Sequence, residues 1–139
     1  MKTISVFGLG KLGCTMMACF TDRGWRTRGV DINEGNVRKV NEGASPIPEP
    51  HVDDLIKKNS DRITATTEGD LACERSDASF IIVPTPSVAD GSFTTKYVEI
   101  VATTIAKGLK RKKGYHLVVV TSTVLPGDTS RIKDLIEKE

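Results

Sequence analysis

The strongest constraint on this 139-residue chain is an alternation that runs its whole length. Short β-branched and apolar runs are separated by stretches with helical periodicity. "TISVF" (Thr3 to Phe7) ends at a glycine and reads as a buried strand. The helix after it places Leu12, Met16, Cys19 and Phe20 on one face and stops at Arg23-Gly24. Strand two spans Thr27 to Ile32; a short helix follows with Val37 and Val40 inward and Gly43 as its stop. A helix over "HVDDLIKKN" leads to strand three, "RITATT", and a short helix near Leu71 leads to strand four, Ser79 to Pro84. That strand is almost wholly apolar, as expected when helices cover both faces of a parallel sheet. A long helix from about Thr95 to Lys112 turns Tyr97, Ile100, Val101, Thr104 and Ile105 inward. Strand five is His116 to Thr123, and the last helix packs through Ile132, Leu135 and Ile136. Such alternation predicts an α/β fold: one doubly wound parallel sheet of Rossmann type over residues 1–139. Right-handed crossovers then give the spatial order 3-2-1-4-5.

In a sheet wound this way ligands bind at the switch point, beside the first β-α turn. That turn carries Gly8-x-Gly10-x-x-Gly13. A glycine triplet alone also fits a ligand-free turn, but this one follows a strand and opens a helix, the context a dinucleotide motif requires. Gly8 permits the tight turn, Gly10 lets a pyrophosphate approach the backbone, and Gly13 lets the helix pack on the strand. The helix N-terminus adds free N–H groups and a partial positive charge. Asp31 lies about 20 residues further on, where a carboxylate accepts hydrogen bonds from the adenosine ribose. It also repels a 2′-phosphate, so NAD is expected as the cofactor rather than NADP. Arg28 and Arg38 are the residues near enough in sequence to receive such a phosphate. Asp31 also suits a helix N-cap, a task for which Asn33 competes.

Bulk properties exclude other classes. The net charge of +2 is too small, and the basic residues too scattered, for a nucleic-acid surface. No apolar run approaches the roughly 18 residues of a membrane span, so no membrane partner is expected. The apolar run at the N-terminus breaks into glycines too early for a signal peptide. Cys14, Cys19 and Cys73 have no metal-ligand spacing and read as buried free thiols of a reducing cytoplasm. His51 and His116 lack partners spaced for a metal, so none is expected. Lys107, Lys110, Arg111, Lys112 and Lys113 read as a solvated helix end.

Three further segments, "GASPIPEP" (Gly43 to Pro50), "VPTPSVADGSFTTKYVE" (Val83 to Glu99) and "TSTVLPGDT" (Thr121 to Thr129), follow "VFGLGKLG" and "GVDIN" in order. Together they resemble the N-terminal NAD-binding domain of the UDP-glucose/GDP-mannose dehydrogenase family, over essentially the whole chain. The resemblance implies a cytoplasmic enzyme that oxidises C6 of a UDP- or GDP-sugar from alcohol to carboxylate with two NAD per turnover. It implies that Lys11 and Leu12 contact the pyrophosphate through their backbone, and that Asp31 holds the ribose. Thr85 would line the cofactor near its adenosine half. Thr123 would sit beside the nicotinamide and help to hold a water. From the residues alone, "PTP" also fits an ordinary strand-ending loop. Ser122-Thr123 likewise fits a pair capping the next helix, and "PIPEP" a rigid connector in which Glu49 takes no assigned role.

The chain departs from the family at three positions. The family commonly has Tyr at Lys11, an apolar residue at Cys14 and a basic or long residue at Asn36. The resemblance also implies a longer parent, a homodimer or larger assembly. There an Asn-Pro-Glu segment, a central helix, a second Rossmann-like domain and the nucleophilic cysteine would follow this segment. None of the three cysteines here takes the nucleophile's place by motif, so this chain alone is expected to be inactive. Two other readings share the early motifs: a domain of the 6-phosphogluconate or 3-hydroxyisobutyrate dehydrogenase group, and a non-enzymatic NAD-sensing module. The "PIPEP" and "STVLPG" segments argue against the first, and the hydroxyls of "PTP" and "STV" against the second.

Overall fold

A computed structural model describes residues 2–139. Five parallel strands form the sheet: β1 (Thr3–Phe7), β2 (Arg26–Val30), β3 (Ile63–Thr66), β4 (Ala78–Ile81) and β5 (Leu117–Val120). Their spatial order is β3-β2-β1-β4-β5, as the crossover rule requires. The register brings Phe7 beside Val30 and Ile81, and Val30 beside Thr66, so the carboxyl ends of the strands finish level.

Alternation along each strand divides the core in two. Ile4 and Val6 of β1 face α1 (Lys11–Asp22), α2 (Glu34–Asn41) and α3 (Val52–Lys58), packing with Met17, Val40 and Ile56. Phe7, Val30 and Ile81 face α4 (Gly69–Glu74), α5 (Lys96–Arg111) and α6 (Asp128–Lys138), packing with Ala72, Val98, Ile105 and Ile132. Leu135 and Ile136 join that second cluster from α6.

Two helices are phased differently from the sequence expectation. In α1 the buried residues are Gly13, Cys14, Met17, Ala18 and Thr21, while Leu12 is 52% exposed and Cys19 is exposed. Gly13 sets this phase: a Cβ there would lie 1.8 Å from the Gly8 carbonyl oxygen, so this face must meet the turn. Phe20 still packs at the margin, its ring 5.0 Å from that of Phe80. In α5 the inner face is Val98, Ala102, Ile105, Ala106 and Gly108, whereas Tyr97 and Ile100 are exposed. Close approach decides again, because a Cβ on Gly108 would meet the Asp70 carbonyl oxygen at 2.4 Å. Small residues lie inward so that α5 can rest on α4. The basic end of α5 is engaged as well as solvated. Arg111 binds Glu74 at 2.7 Å and Asp70 at 2.9 Å, and Lys112 donates to the Ser76 carbonyl.

Burial also corrects the reading of the thiols: Cys14 and Cys73 are buried and Cys19 is not. Beneath α4, Cys73 borders a polar string in which Ser5 and Ser79 hydroxyls lie 2.6 Å apart and Ser79 lies 2.9 Å from His116 Nε2. His116 Nδ1 donates to the Ser76 carbonyl at 3.0 Å, so Nε2 of the neutral ring accepts from Ser79.

Candidate functional site

The level carboxyl ends of the strands gather the glycine turn, Asp31, the "PTP" segment and the "STV" segment at one end of the sheet. Ladder bonds continue into these exits. Gly8 donates to the Val30 carbonyl (2.8 Å), Ile82 to Phe7 (2.8 Å) and Thr121 to Ile81 (2.9 Å). The turn is therefore rigidly attached to the central strand.

Each glycine occupies a distinct environment. Gly8 has φ +105°, and a Cβ there would lie 2.2 Å from the Ile82 carbonyl oxygen. Gly13 lies against Gly8, as described. Gly10 has no atom within 4 Å of the Cβ position, so the space above it is open. Two of the three glycines are thus demanded by the fold, and the third by nothing inside the protein. Gly10 is also the N-cap of α1; no side chain caps the helix, and its first turn carries no acidic residue. The free N–H groups of that turn, Lys11 and Leu12 among them, form a site suited to an anion.

Asp31 stands at the exit of β2. Its Oδ2 accepts from Leu9 N–H at 2.9 Å, inside the glycine motif, and its Oδ1 accepts from Asn33 N–H at 2.9 Å. Asn36 reaches the same carboxylate at 3.4 Å. The N-cap role falls instead to Asn33, whose side chain accepts from Gly35 and Asn36. An ionised carboxylate has about four acceptor sites, so these three bonds fix its orientation and leave capacity for about one further donor, or two where a ribose hydroxyl displaces the long Asn36 contact. Arg28 lies mid-strand, in register with Ser5 and Thr64 and three residues short of Asp31.

Thr85 is half-buried between Pro84 and Pro86, and Thr123 is exposed beside them at the exit of β5. Ser122 joins these two exits rather than capping α6. Its hydroxyl accepts from Val83 N–H at 3.0 Å and donates to the Val83 carbonyl at 2.8 Å. Gly127 is the N-cap of α6.

Three features lay outside the sequence reading. The first is an ion pair of 2.9 Å between Lys11 and Glu49, which ties the proline-rich connector to the start of α1. Nothing in sequence spacing links those residues. The second is the Ser122 staple. The third is a small antiparallel bridge between Ser87 and Phe93 around Gly91 at φ +82°, which the Asp90-Gly91 pair signals in hindsight. Burial pushes the thiols of Cys14 and Cys73 above the ordinary value, the opposite of what an activated nucleophile needs. Among the described residues, no helix is long and apolar enough to cross a membrane.

This arrangement suits a dinucleotide. The family model described as "UDP-glucose/GDP-mannose dehydrogenase family, NAD binding domain" matches residues 2–139. A UDP-glucose 6-dehydrogenase of Haloferax volcanii is 40% identical over 91% of this chain and 29% of its own length. A GDP-mannose dehydrogenase from Pseudomonas aeruginosa, solved as a ternary complex, superposes with a TM-score of 0.93 at 38% identity. That match covers 97% of this chain and 32% of the other. A 3-hydroxyisobutyrate dehydrogenase of Mycobacterium tuberculosis reaches a TM-score of 0.64 at 20% identity, over 99% of this chain and 37% of the other, and shares the fold alone. The chain spans about 30% of the length of the curated relatives it matches. By these matches the chain belongs to the UDP-glucose/GDP-mannose dehydrogenase family, as its NAD binding domain.

Proposed function

We propose that this chain holds NAD within a longer, cytoplasmic, homodimeric or larger enzyme that oxidises C6 of a nucleotide-activated sugar from alcohol to carboxylate. One observation carries the proposal: the open space over Gly10 faces the uncapped N-terminus of α1, with Asp31 already locked to the same turn. The relatives named for UDP-glucose and GDP-mannose stand at 40% and 38% identity, so the substrate proposed is the nucleotide-sugar class.

NAD, when bound, supplies the hydride acceptor. The chain's own residues bind and orient. Backbone N–H groups over Gly10, Lys11, Leu12 and Gly13 would hold the pyrophosphate, aided by the α1 dipole, while Gly8, whose N–H is bonded to Val30, would shape the turn beneath it. Asp31 would accept from the adenosine ribose. Thr85, held between two prolines, would line the adenosine half. Thr123 would orient a water on the nicotinamide side, with Ser122 fixing its backbone. Lys11, where the family commonly has Tyr, is paired with Glu49 at 2.9 Å, which balances its charge and anchors the proline-rich connector at the start of α1.

Catalysis would need the cofactor, an activated thiol and an aligned substrate together, and proximity alone contributes roughly 7–11 kcal/mol. With both buried thiols held protonated, this chain supplies only the cofactor half. The purified chain is expected to form no NADH from UDP-glucose, GDP-mannose or UDP-N-acetylmannosamine. Turnover by it would overturn the placement of the nucleophile elsewhere. In the full-length enzyme Thr123→Ala should lower turnover more than it weakens NAD binding; unchanged turnover would remove Thr123 from the proposal.

A further inference from the structure

A second polar site lies on the α4 face of the sheet, away from the glycine turn. Arg28 of β2 is in register with Ser5 of β1 and Thr64 of β3, so all three side chains share that face. β3 is the sheet edge and α4 has only six residues, so the β2–β3 corner is incompletely covered. A cleft of about 210 Å³ remains there, lined by Arg28, Thr64, Thr66, Glu68, Leu71 and Arg75.

Arg28 is anomalous in this cleft. Its Nε is the one buried side-chain nitrogen or oxygen among the described residues that has no hydrogen-bond partner. A donor left in that state costs roughly 1–3 kcal/mol. Neither Arg28 nor Arg75 takes part in any ion pair of the described residues. Across α4, by contrast, Arg111 binds two carboxylates. Burial pushes the Arg28 guanidinium below the ordinary arginine value, and the charges of Arg75 and Arg26 push it further. Glu68 lines the cleft without pairing with either arginine. Thr66 accepts from Glu68 N–H through its hydroxyl oxygen, which leaves the hydroxyl proton free to donate. Thr64 makes no side-chain hydrogen bond among those of the described residues.

From this geometry we infer that the cleft binds a small phosphate-type oxyanion, with Arg28 Nε and Arg75 as its charged donors and Thr64 and Thr66 as hydroxyl donors. An oxyanion with several acceptor oxygens supplies the orphaned donor and neutralises two like charges at once. The volume is below the roughly 300–1,000 Å³ of ordinary ligand pockets, so the site takes a single small group and not a dinucleotide. Arg28 and Thr64 lie two residues before the strand ends and Arg75 closes the far end of α4, so the charged donors stand apart from the cofactor turn, and Thr66, whose carbonyl accepts from Asp31 N–H at 3.3 Å, is the lining residue nearest to it.

The test is a titration of the 15N-labelled chain with inorganic phosphate at constant ionic strength, following the Arg28 Nε–H resonance and the melting temperature. Parallel arms use phenyl phosphate, acetate and sodium chloride. Saturable shifts with phosphate, unaltered by excess NAD, are expected. Phenyl phosphate binding as tightly as phosphate would point to a phosphate ester as the natural ligand, and weaker binding to the free ion. Arg28→Gln and Arg75→Gln should each weaken phosphate at least about tenfold. Arg28→Gln should melt no lower than the parent in phosphate-free buffer, because it removes a half-buried cation that has no ion-pair partner and whose Nε is left without an acceptor. Arg28→Lys, which keeps the charge but loses Nε, should also bind more weakly. Shifts equal to those in chloride, acetate binding as well as phosphate, competition by NAD, or a full response in Arg28→Gln would overturn the inference.

Discussion

Alanine at each motif glycine separates what the fold requires from what the cofactor requires. Gly10 has φ −74° and ψ −165°, which alanine adopts freely, and its Cβ would touch nothing within 4 Å. Alanine is a poorer N-cap than glycine by about 1 kcal/mol, but it lowers unfolded-state entropy by roughly 0.4–1 kcal/mol. Gly10→Ala should therefore leave stability within about 1 kcal/mol of the parent. It places a methyl where the pyrophosphate would meet the backbone, so NAD affinity should fall at least about tenfold, or ~1.4 kcal/mol. Gly13→Ala drives a Cβ to 1.8 Å from a backbone oxygen that no rotamer can move. Gly8→Ala meets another at 2.2 Å and also forces φ +105° on a residue with a side chain. Overpacking costs ~1–3 kcal/mol and a left-handed residue a further ~1–2, so Gly13→Ala should lose about 1–3 kcal/mol and Gly8→Ala about 2–5. Urea melts without cofactor and calorimetry with NAD read the two effects separately. Unfolding of Gly10→Ala, or its binding NAD like the parent, would refute the division of roles.

Further changes probe the frame around the site. His51, at φ +66°, is the one non-glycine residue in left-handed backbone among the described residues. His51→Gly should stabilise by about 0.5–1 kcal/mol in urea melts, the relieved strain exceeding the added unfolded-state entropy; a lower midpoint would contradict this. Ser122→Ala strips Val83 N–H of its acceptor and should cost about 1–3 kcal/mol; a neutral result would show that the staple is dispensable. Burial holds the His116 imidazole below the ordinary histidine value; the hydrogen bond to the Ser76 carbonyl opposes this in part, Lys112 adds to it and Asp77 opposes it least. The unfolded chain therefore takes up the proton first. This contribution to stability is complete above about pH 6.5 and is lost as pH falls from there to the folded-state value. His116→Asn should flatten that part of the stability–pH curve; an unchanged curve would refute the assignment.

Strand order was legible because alternation and crossover handedness are properties of the whole chain. Helix phase was not. Leu12, Cys19, Tyr97 and Ile100 are apolar at helical spacing yet point outward, because contacts at Gly13 and Gly108 set the rotation. Hydrophobic periodicity weighs side-chain size and does not register the absence of a side chain. At the site, the glycines and Asp31 were legible because their placement is local to one turn and one strand end. Glu49 meeting Lys11, Ser122 meeting Val83, and Arg28 lying beside Arg75 arise only when distant segments are folded together. Asp31 joins both kinds: its position is local, but its bond to Leu9 N–H spans 22 residues.

The proposed role of this end of the sheet is to hold NAD through an Asp31 already oriented by the glycine turn. Calorimetric titration of the chain with NAD and with NADP, repeated on Asp31→Ala, tests it most directly. Tighter binding of NAD is predicted, since a carboxylate fixed by Leu9 and Asn33 accepts from ribose hydroxyls and repels a 2′-phosphate. Asp31→Ala should cost about 1–3 kcal/mol of NAD affinity and erase the preference. Equal affinity for the two cofactors, a preference for NADP, or full NAD affinity in Asp31→Ala would contradict the account.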